Sequence, residues 1–218
     1  MNNMNKAFGI INFAGNHIQV DGLQEYRPVG AFSFLGRYRI IDFPISNMSN
    51  SEIDNIQVYV RRKPRSLTEH LGTGRHYNIN SKRGSLNIMY AESNQVNDIY
   101  NTDIAAYIEN MNCIERMTQP YVVIAPSYMI YTADYSEFIE EHVESGADIS
   151  LMYHAVDNAK EEYLTCDTLN INKQKGVLSI EPNRGNAKNR NIFMDTYVMS
   201  KELFLDLVNK AHKMSSMY

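Results

Sequence analysis

Three short apolar runs, Phe8-Gly9-Ile10-Ile11-Asn12-Phe13, Ile56-Gln57-Val58-Tyr59-Val60 and Tyr121-Val122-Val123-Ile124-Ala125, leave this chain few folds to adopt. Each is too short for a buried helix, rich in apolar or β-branched residues, and flanked by turn residues, so each reads as a strand. Helical patterns lie among them. Asp103 to Met111 carries Ile104, Ala105, Ile108 and Met111 at three and four spacing, and Asp134 to Glu144 carries Phe138, Ile139 and Val143. Strand and helix in alternation predict an α/β fold, a mostly parallel sheet flanked by helices on both faces. In such sheets ligands sit beyond the carboxyl ends of the strands, which places Ala14-Gly15 and Tyr128 at the binding edge.

The texture changes after Asp148. Ile149 to Ala155 reads as a strand, Leu164 to Asn172 and Gly176 to Glu181 as a hairpin around Lys173-Gln174-Lys175, and Ser200 to Met214 as a helix with Ser200 at its N-cap. Asp134 heads the helical pattern before it, with Glu137 three residues on, the spacing of a capping box. The chain has no internal repeats, low-complexity tracts or linkers.

Two segments carry more than fold. The first strand runs into Asn12-Phe13-Ala14-Gly15-Asn16-His17-Ile18-Gln19-Val20, and Gly36-Arg37-Tyr38-Arg39-Ile40-Ile41-Asp42-Phe43-Pro44-Ile45-Ser46-Asn47-Met48-Ser49-Asn50-Ser51 follows. The second closely resembles the G-K-Y-R-L-I-D-F-x-L-S-N-x-x-N-S signature of glucose-1-phosphate adenylyltransferases, the ADP-glucose pyrophosphorylases. Glu69-His70-Leu71-Gly72-Thr73-Gly74 with Tyr77-Asn78-Ile79-Asn80, and Ile130-Tyr131-Thr132-Ala133-Asp134-Tyr135, resemble later blocks of that family. The resemblance implies a nucleotide-diphospho-sugar transferase, Rossmann-like domain over residues 1–218, incomplete at its C-terminus. It also implies that the left-handed β-helix domain of the family lies outside this sequence.

The departures from the family pattern fall on its chemistry. Active members read A-G-G-x-G-x-R-L over the phosphate loop, and register puts Ala14, Gly15, His17 and Gln19 at the adjacent glycines, the third glycine and the arginine. A Cβ there blocks the close approach of backbone N–H groups to phosphate, and Gln19 lacks a forked cation. In the R-A-K-P element Arg27 is kept and the lysine is Val29. Losing a fixed cation that faces developing phosphate charge costs several kcal/mol of barrier, roughly two to three decades of rate. The magnesium carboxylate of the family falls on Tyr128, and Mg²⁺ takes hard anionic oxygen. On the sugar-phosphate side the lysine of E-K-P is Glu181. The S-M-G-x-Y-V-F strand appears as Phe193-Met194-Asp195-Thr196-Tyr197-Val198-Met199, leaving Asp195 and Tyr197 as remnants.

These departures make the chain resemble the non-catalytic D-type subunits of that family. The resemblance implies a regulatory or scaffolding partner of a catalytic subunit in a hetero-oligomer, with weak ATP or sugar-phosphate binding at most. No cofactor is expected, although active relatives use magnesium. A weakly active transferase and a stand-alone sugar-phosphate or nucleotide sensor are the alternatives.

Composition excludes other classes. With 218 residues, 44% hydrophobic content and a formal charge of −4, the chain can bury a substantial core and does not read as a nucleic-acid binder. The N-terminus lacks signal-peptide architecture and no apolar run approaches the ~18 residues of a membrane span, so a cytoplasmic location is expected. Cys113 and Cys166 follow no spacing motif and are expected as buried thiols. Arg61-Arg62-Lys63-Pro64-Arg65 is the one basic concentration. It reads as a solvated loop first and as an anion or effector patch second. His70 and His76 lack the further ligands a metal site needs.

Overall fold

The computed structural model describes residues 6–13, 18, 20–61, 63–72, 74–79, 84–90 and 103–215. The chain order is β1 (Ala7–Asn12), β2 (Ser33–Phe34), β3 (Tyr38–Arg39), α1 (Asp42–Asn50), β4 (Asn55–Val60), α2 (Arg65–Leu71), β5 (Ser85–Tyr90), α3 (Asp103–Glu109) and α4 (Met111–Glu115). It continues with β6 (Tyr121–Pro126), α5 (Tyr135–Ser145), β7 (Ile149–Val156), β8 (Asp167–Ile171), β9 (Val177–Pro182), β10 (Arg190–Ser200) and α6 (Lys201–Ser215). Two compact units result: residues 1–149 with 198–218, and residues 150–197.

The first unit is the α/β part. Its strands run in the order β5-β4-β1-β6, and the β1–β4, β1–β6 and β4–β5 pairs are all parallel. All six residues of β1 are buried, as are five of the six in β4 and in β6. That pattern is what a strand covered on both faces requires. Full burial of each such Ile, Val or Phe contributes about 1.5–3 kcal/mol. Within this run Gly9 has a steric role, since a Cβ there would stand 2.3 Å from the Met48 sulfur of α1. On β4, Gln57 and Tyr59 point to one side and satisfy each other, the Tyr59 hydroxyl donating to Gln57 Oε1 at 3.0 Å. Burial pushes the Tyr59 hydroxyl well above the ordinary phenol range, with the Cys113 charge adding to it.

Helix α6 returns to this unit and is tied down at its start. The Lys201 amide donates to the Pro120 carbonyl at 2.7 Å, and its Nζ donates to the Met117 carbonyl at 2.6 Å. Phe204 then meets the Tyr107 ring edge-on at 5.1 Å. Ser200 caps α6 by accepting from the Leu203 amide, and Asp134 caps α5 by accepting from the Ser136 amide. Both caps are at the positions expected, with Asp134 closing on the second residue of its helix.

The second unit is antiparallel. Strand β8 pairs β9 and β10, and β7 pairs β10. The β8–β9 hairpin turns at Asn172 to Gly176, where Asn172 Oδ1 accepts from the Gln174 and Gly176 amides. This Asx-type bonding lets Lys175 hold its φ of 62°. Asn183 organises the loop from 159 to 166. Its buried side chain donates to the carbonyls of Ala159 at 2.8 Å and Tyr163 at 3.0 Å, while its own amide donates to Cys166 at 2.7 Å.

The cysteines depart from expectation. Cys113 is exposed on α4 and Cys166 is only half-buried ahead of β8. Cys113 points outward because its helix buries Ile114 instead. Burial, together with Asp167, still raises the Cys166 thiol above its ordinary range.

Candidate functional site

The parallel strands deliver several side chains to one edge. β1 ends at Asn12, β4 at Val60 and β6 at Pro126, so Phe13, Arg61 and Ser127-Tyr128 follow at their carboxyl ends. The Ser127 amide donates to the Asn12 carbonyl at 2.9 Å, extending the β1–β6 ladder past the strands. The Asn12 side chain is held on both sides. Tyr107 donates its hydroxyl to Oδ1 at 2.5 Å, and Nδ2 donates to Asp103 Oδ2 at 3.3 Å. The guanidinium of Arg61 lies 5.8 Å from the centroid of the Phe13 ring, a cation–π distance.

A single 3₁₀ turn, Val29–Ala31, packs onto this edge. A Cβ on Gly30 would stand 3.2 Å from the Ser127 carbonyl, and the Ile41 amide donates to the Gly30 carbonyl at 3.0 Å. The turn that carries Val29 therefore rests on the residue next to Tyr128. Val29 is 5% exposed and points into the core. Arg27, two residues earlier, is exposed. Ala14, Gly15, Gln19 and Arg62 lie outside the described residues.

The basic residues after β4 have separate tasks. Arg61 stacks on Phe13, Lys63 is exposed, and Arg65 is exposed and pairs with Glu69 one turn along α2 at 2.7 Å. In the second unit, Glu181 of β9 accepts from Arg190 Nη1 at 3.1 Å. A hydrogen bond from Asn170, then the charge and hydrogen bond of Arg190, hold the Glu181 carboxyl below its usual range. Asp195 sits within β10 at a φ of 48°, a left-handed conformation that non-glycine residues adopt rarely. Tyr197 is half-buried two residues on.

Two hydrogen-bond clusters, invisible as such in the sequence, join the three segments that resemble the adenylyltransferases. Asp42, at the start of α1, accepts at Oδ1 from His70 Nε2 and from the Tyr77 hydroxyl, both at 2.6 Å. Its Oδ2 accepts from the Arg39 amide at 2.8 Å, and Arg39 Nη1 donates to the Ser66 carbonyl. Burial first, then the bond to Asp42, pushes the Tyr77 hydroxyl above its normal range. At the other end of α1, Asn47 Nδ2 donates to the Tyr131 carbonyl at 2.9 Å. Ser51 Oγ accepts from the Tyr135 amide at 2.8 Å. The Tyr131 and Tyr135 hydroxyls are 2.9 Å apart. His70 is thus a structural donor to a carboxylate, and the only hint of this in the sequence was that Asp42, His70 and Tyr77 all fall in family-like blocks.

A family model, Nucleotidyl transferase, matches residues 9–214. The chain belongs to the nucleotidyl transferase family. Among similar proteins, the Glycogen biosynthesis protein GlgD of Geobacillus stearothermophilus is 30% identical over 156 residues, covering 69% of this chain and 44% of that protein. Glucose-1-phosphate adenylyltransferase of Clostridioides difficile is 28% identical over 184 residues, 84% of this chain and 47% of that one. The Bacillus subtilis adenylyltransferase is 33% identical over 63% of this chain. The chain therefore spans about half the length of the curated relatives it matches. A Bacillus anthracis structure described as a putative glucose-1-phosphate thymidylyltransferase in complex with a sucrose superposes with a TM-score of 0.68 over 90% of this chain and 72% of that one. At 15% identity this likeness speaks to fold alone. The expected mixed α/β fold with a mostly parallel sheet is that of nucleotidyl transferases, and this member is related to GlgD and to the adenylyltransferases of glycogen biosynthesis.

Proposed function

We propose that this nucleotidyl transferase is a regulatory or scaffolding, non-catalytic part of glucose-1-phosphate adenylyltransferase, whose reaction joins ATP and glucose-1-phosphate into ADP-glucose and diphosphate. The observation that carries the reading is the meeting of the Val29 turn with Ser127 beside Tyr128. Gly30 and Ser127, the chain neighbours of Val29 and Tyr128, are in contact. At the two positions that hold a lysine and a magnesium carboxylate in the resembling enzymes, this chain has an apolar side chain and a phenol. A valine offers no charge to a transferring phosphate, and a neutral phenol is a poor ligand for Mg²⁺. With a phenol in the carboxylate position, the donor set does not fit magnesium.

The clusters around Asp42 and around Asn47 and Ser51 keep the rest of the frame intact. A frame of this kind can still bias a partner through contacts that differ between the partner's states. The partner in this reading is a catalytic adenylyltransferase subunit in a hetero-oligomer. Exposed Arg27 supports a second reading, a weak transferase in its own right, because it leaves one cation of the family pattern facing solvent.

The test is diphosphate release from ATP and glucose-1-phosphate for this chain alone, for a catalytic subunit from the same genome, and for the two mixed. A silent chain that alters its partner's rate or effector response supports the regulatory reading. Magnesium-dependent turnover by the lone chain replaces it with the second.

A further inference from the structure

The second unit contains an open groove of about 620 Å³, in the range of about 300–1,000 Å³ common for small-ligand sites. It lies at the end of β7 and the start of β10, and its lining includes His154, Asp157, Asn158, Tyr163, Asn189 and Arg190. Glu181, Asp195 and Tyr197 are not part of it. Asp157, Asn158, Asn189 and Tyr163 are all exposed.

Tyr163 has a φ of 56° and Thr165 one of 70°. A bulky residue in the left-handed region costs of order 1–3 kcal/mol and persists only where its surroundings over-determine it. Asn183 supplies that constraint: its buried Nδ2 donates to the carbonyls of Ala159, Glu162 and Tyr163. The backbone that carries Tyr163 at the groove is thus held in place, and the Tyr163 ring is exposed there.

Charges of both signs, Arg190 and Asp157, line the groove. Arg190 Nη1 is shared between Glu181 at 3.1 Å and Asn170 at 3.4 Å, which offsets its charge, and Asp157 adds a negative one. The remaining planar amides each offer two donors and an acceptor, Asp157 offers acceptors, and Tyr163 offers an apolar ring with a polar tip. Vicinal hydroxyl groups, each both donor and acceptor, on a molecule with an apolar ring face match that set.

We propose that this groove binds a neutral oligosaccharide, with Tyr163 stacking on a sugar ring and Asp157, Asn158 and Asn189 bonding its hydroxyls. This goes beyond the regulatory reading and does not depend on it, since no residue at the carboxyl edge of the first unit takes part.

The test is a ¹H–¹⁵N NMR titration of the full chain with maltotriose, and with cellotriose as a second stereochemistry. Saturable shifts confined to residues 154–164 and 189–191 are expected with at least one of them. Tyr163→Phe should retain binding, while Tyr163→Ala and Asn158→Ala should each weaken it about tenfold, equivalent to about 1.4 kcal/mol. Asn158→Ala leaves the Asn183 bonds in place, so it reports even where Tyr163→Ala loosens the loop. The proposal is overturned by the absence of saturable shifts, by shifts elsewhere, by unchanged affinity in Asn158→Ala, or by displacement of the trisaccharide with glucose-1-phosphate.

Discussion

The Tyr107 hydroxyl stands 2.5 Å from Oδ1 of Asn12, joining α3 to the last residue of β1. That bond fixes the chain direction where β1 leaves the sheet, and Tyr107 is itself wedged edge-on between Tyr59 and Phe204 at 5.1 Å from each.

Tyr107→Phe keeps those ring contacts and removes the bond. Asn12 is 8% exposed, so its oxygen would be left with little access to water. A loss of about 1–2 kcal/mol in urea unfolding is expected. A change within about 0.3 kcal/mol would show that Asn12 finds another donor.

Asp42→Ala removes the acceptor shared by His70, Tyr77 and the Arg39 amide. Bonds to a charged acceptor are the strong ones, and the donors left behind are partly buried, so about 3 kcal/mol of stability should be lost. Tyr77→Phe should lose less, because Asp42 keeps two donors. Equal losses in a double-mutant comparison would rule out the shared-acceptor arrangement.

His142 gives stability a pH dependence. It is 4% exposed and stacks edge-on with Tyr121 at 5.6 Å, and burial lowers its pKa from the ordinary 6.5. Below that value the unfolded chain takes up a proton more readily than the folded one. This contribution to stability is therefore complete above about pH 6.5 and is lost as the pH falls through the lower folded value. Unfolding free energies measured from pH 8 down to pH 5 should decline more steeply for the parent chain than for His142→Gln. Parallel curves would assign the acid sensitivity to carboxylates elsewhere.

Restoring the family residues in a triple variant, Gln19→Arg, Val29→Lys and Tyr128→Asp, should recover little diphosphate release, because Ala14 and Glu181 still differ from the active pattern. Val29→Lys also puts a cation at a position 5% exposed, so it should lower stability by itself. Strong recovery from a single substitution would show a site close to working order.

The parts of this molecule that were legible in its sequence are those governed by local pattern. β1, β4 and β6 declare themselves through short runs rich in apolar and β-branched residues, and α5 and α6 through their caps. β5 did not stand out, since Ser85, Asn87 and Tyr90 interrupt it and only Met89 is buried. The groove was out of reach for another reason. Its walls come from residues 154–158, 163 and 189–191, brought together by antiparallel pairing and by one buried asparagine, and no spacing rule links them. The Val29 turn was read as a missing lysine, while its seat on Ser127 depends on a glycine whose neighbour across space is remote in sequence.

Gly9 sets the distance between β1 and α1, with the Met48 sulfur occupying the space a methyl group would need. Because α1 bears Asp42 at one end and Asn47 and Ser51 toward the other, that one missing methyl governs where both hydrogen-bond clusters stand against the sheet. The helix works as a beam resting on a single notch. Widening the notch would lift both clusters together, so changes confined to the ends of the strands can accumulate without disturbing the frame, whereas the mildest change at residue 9 cannot.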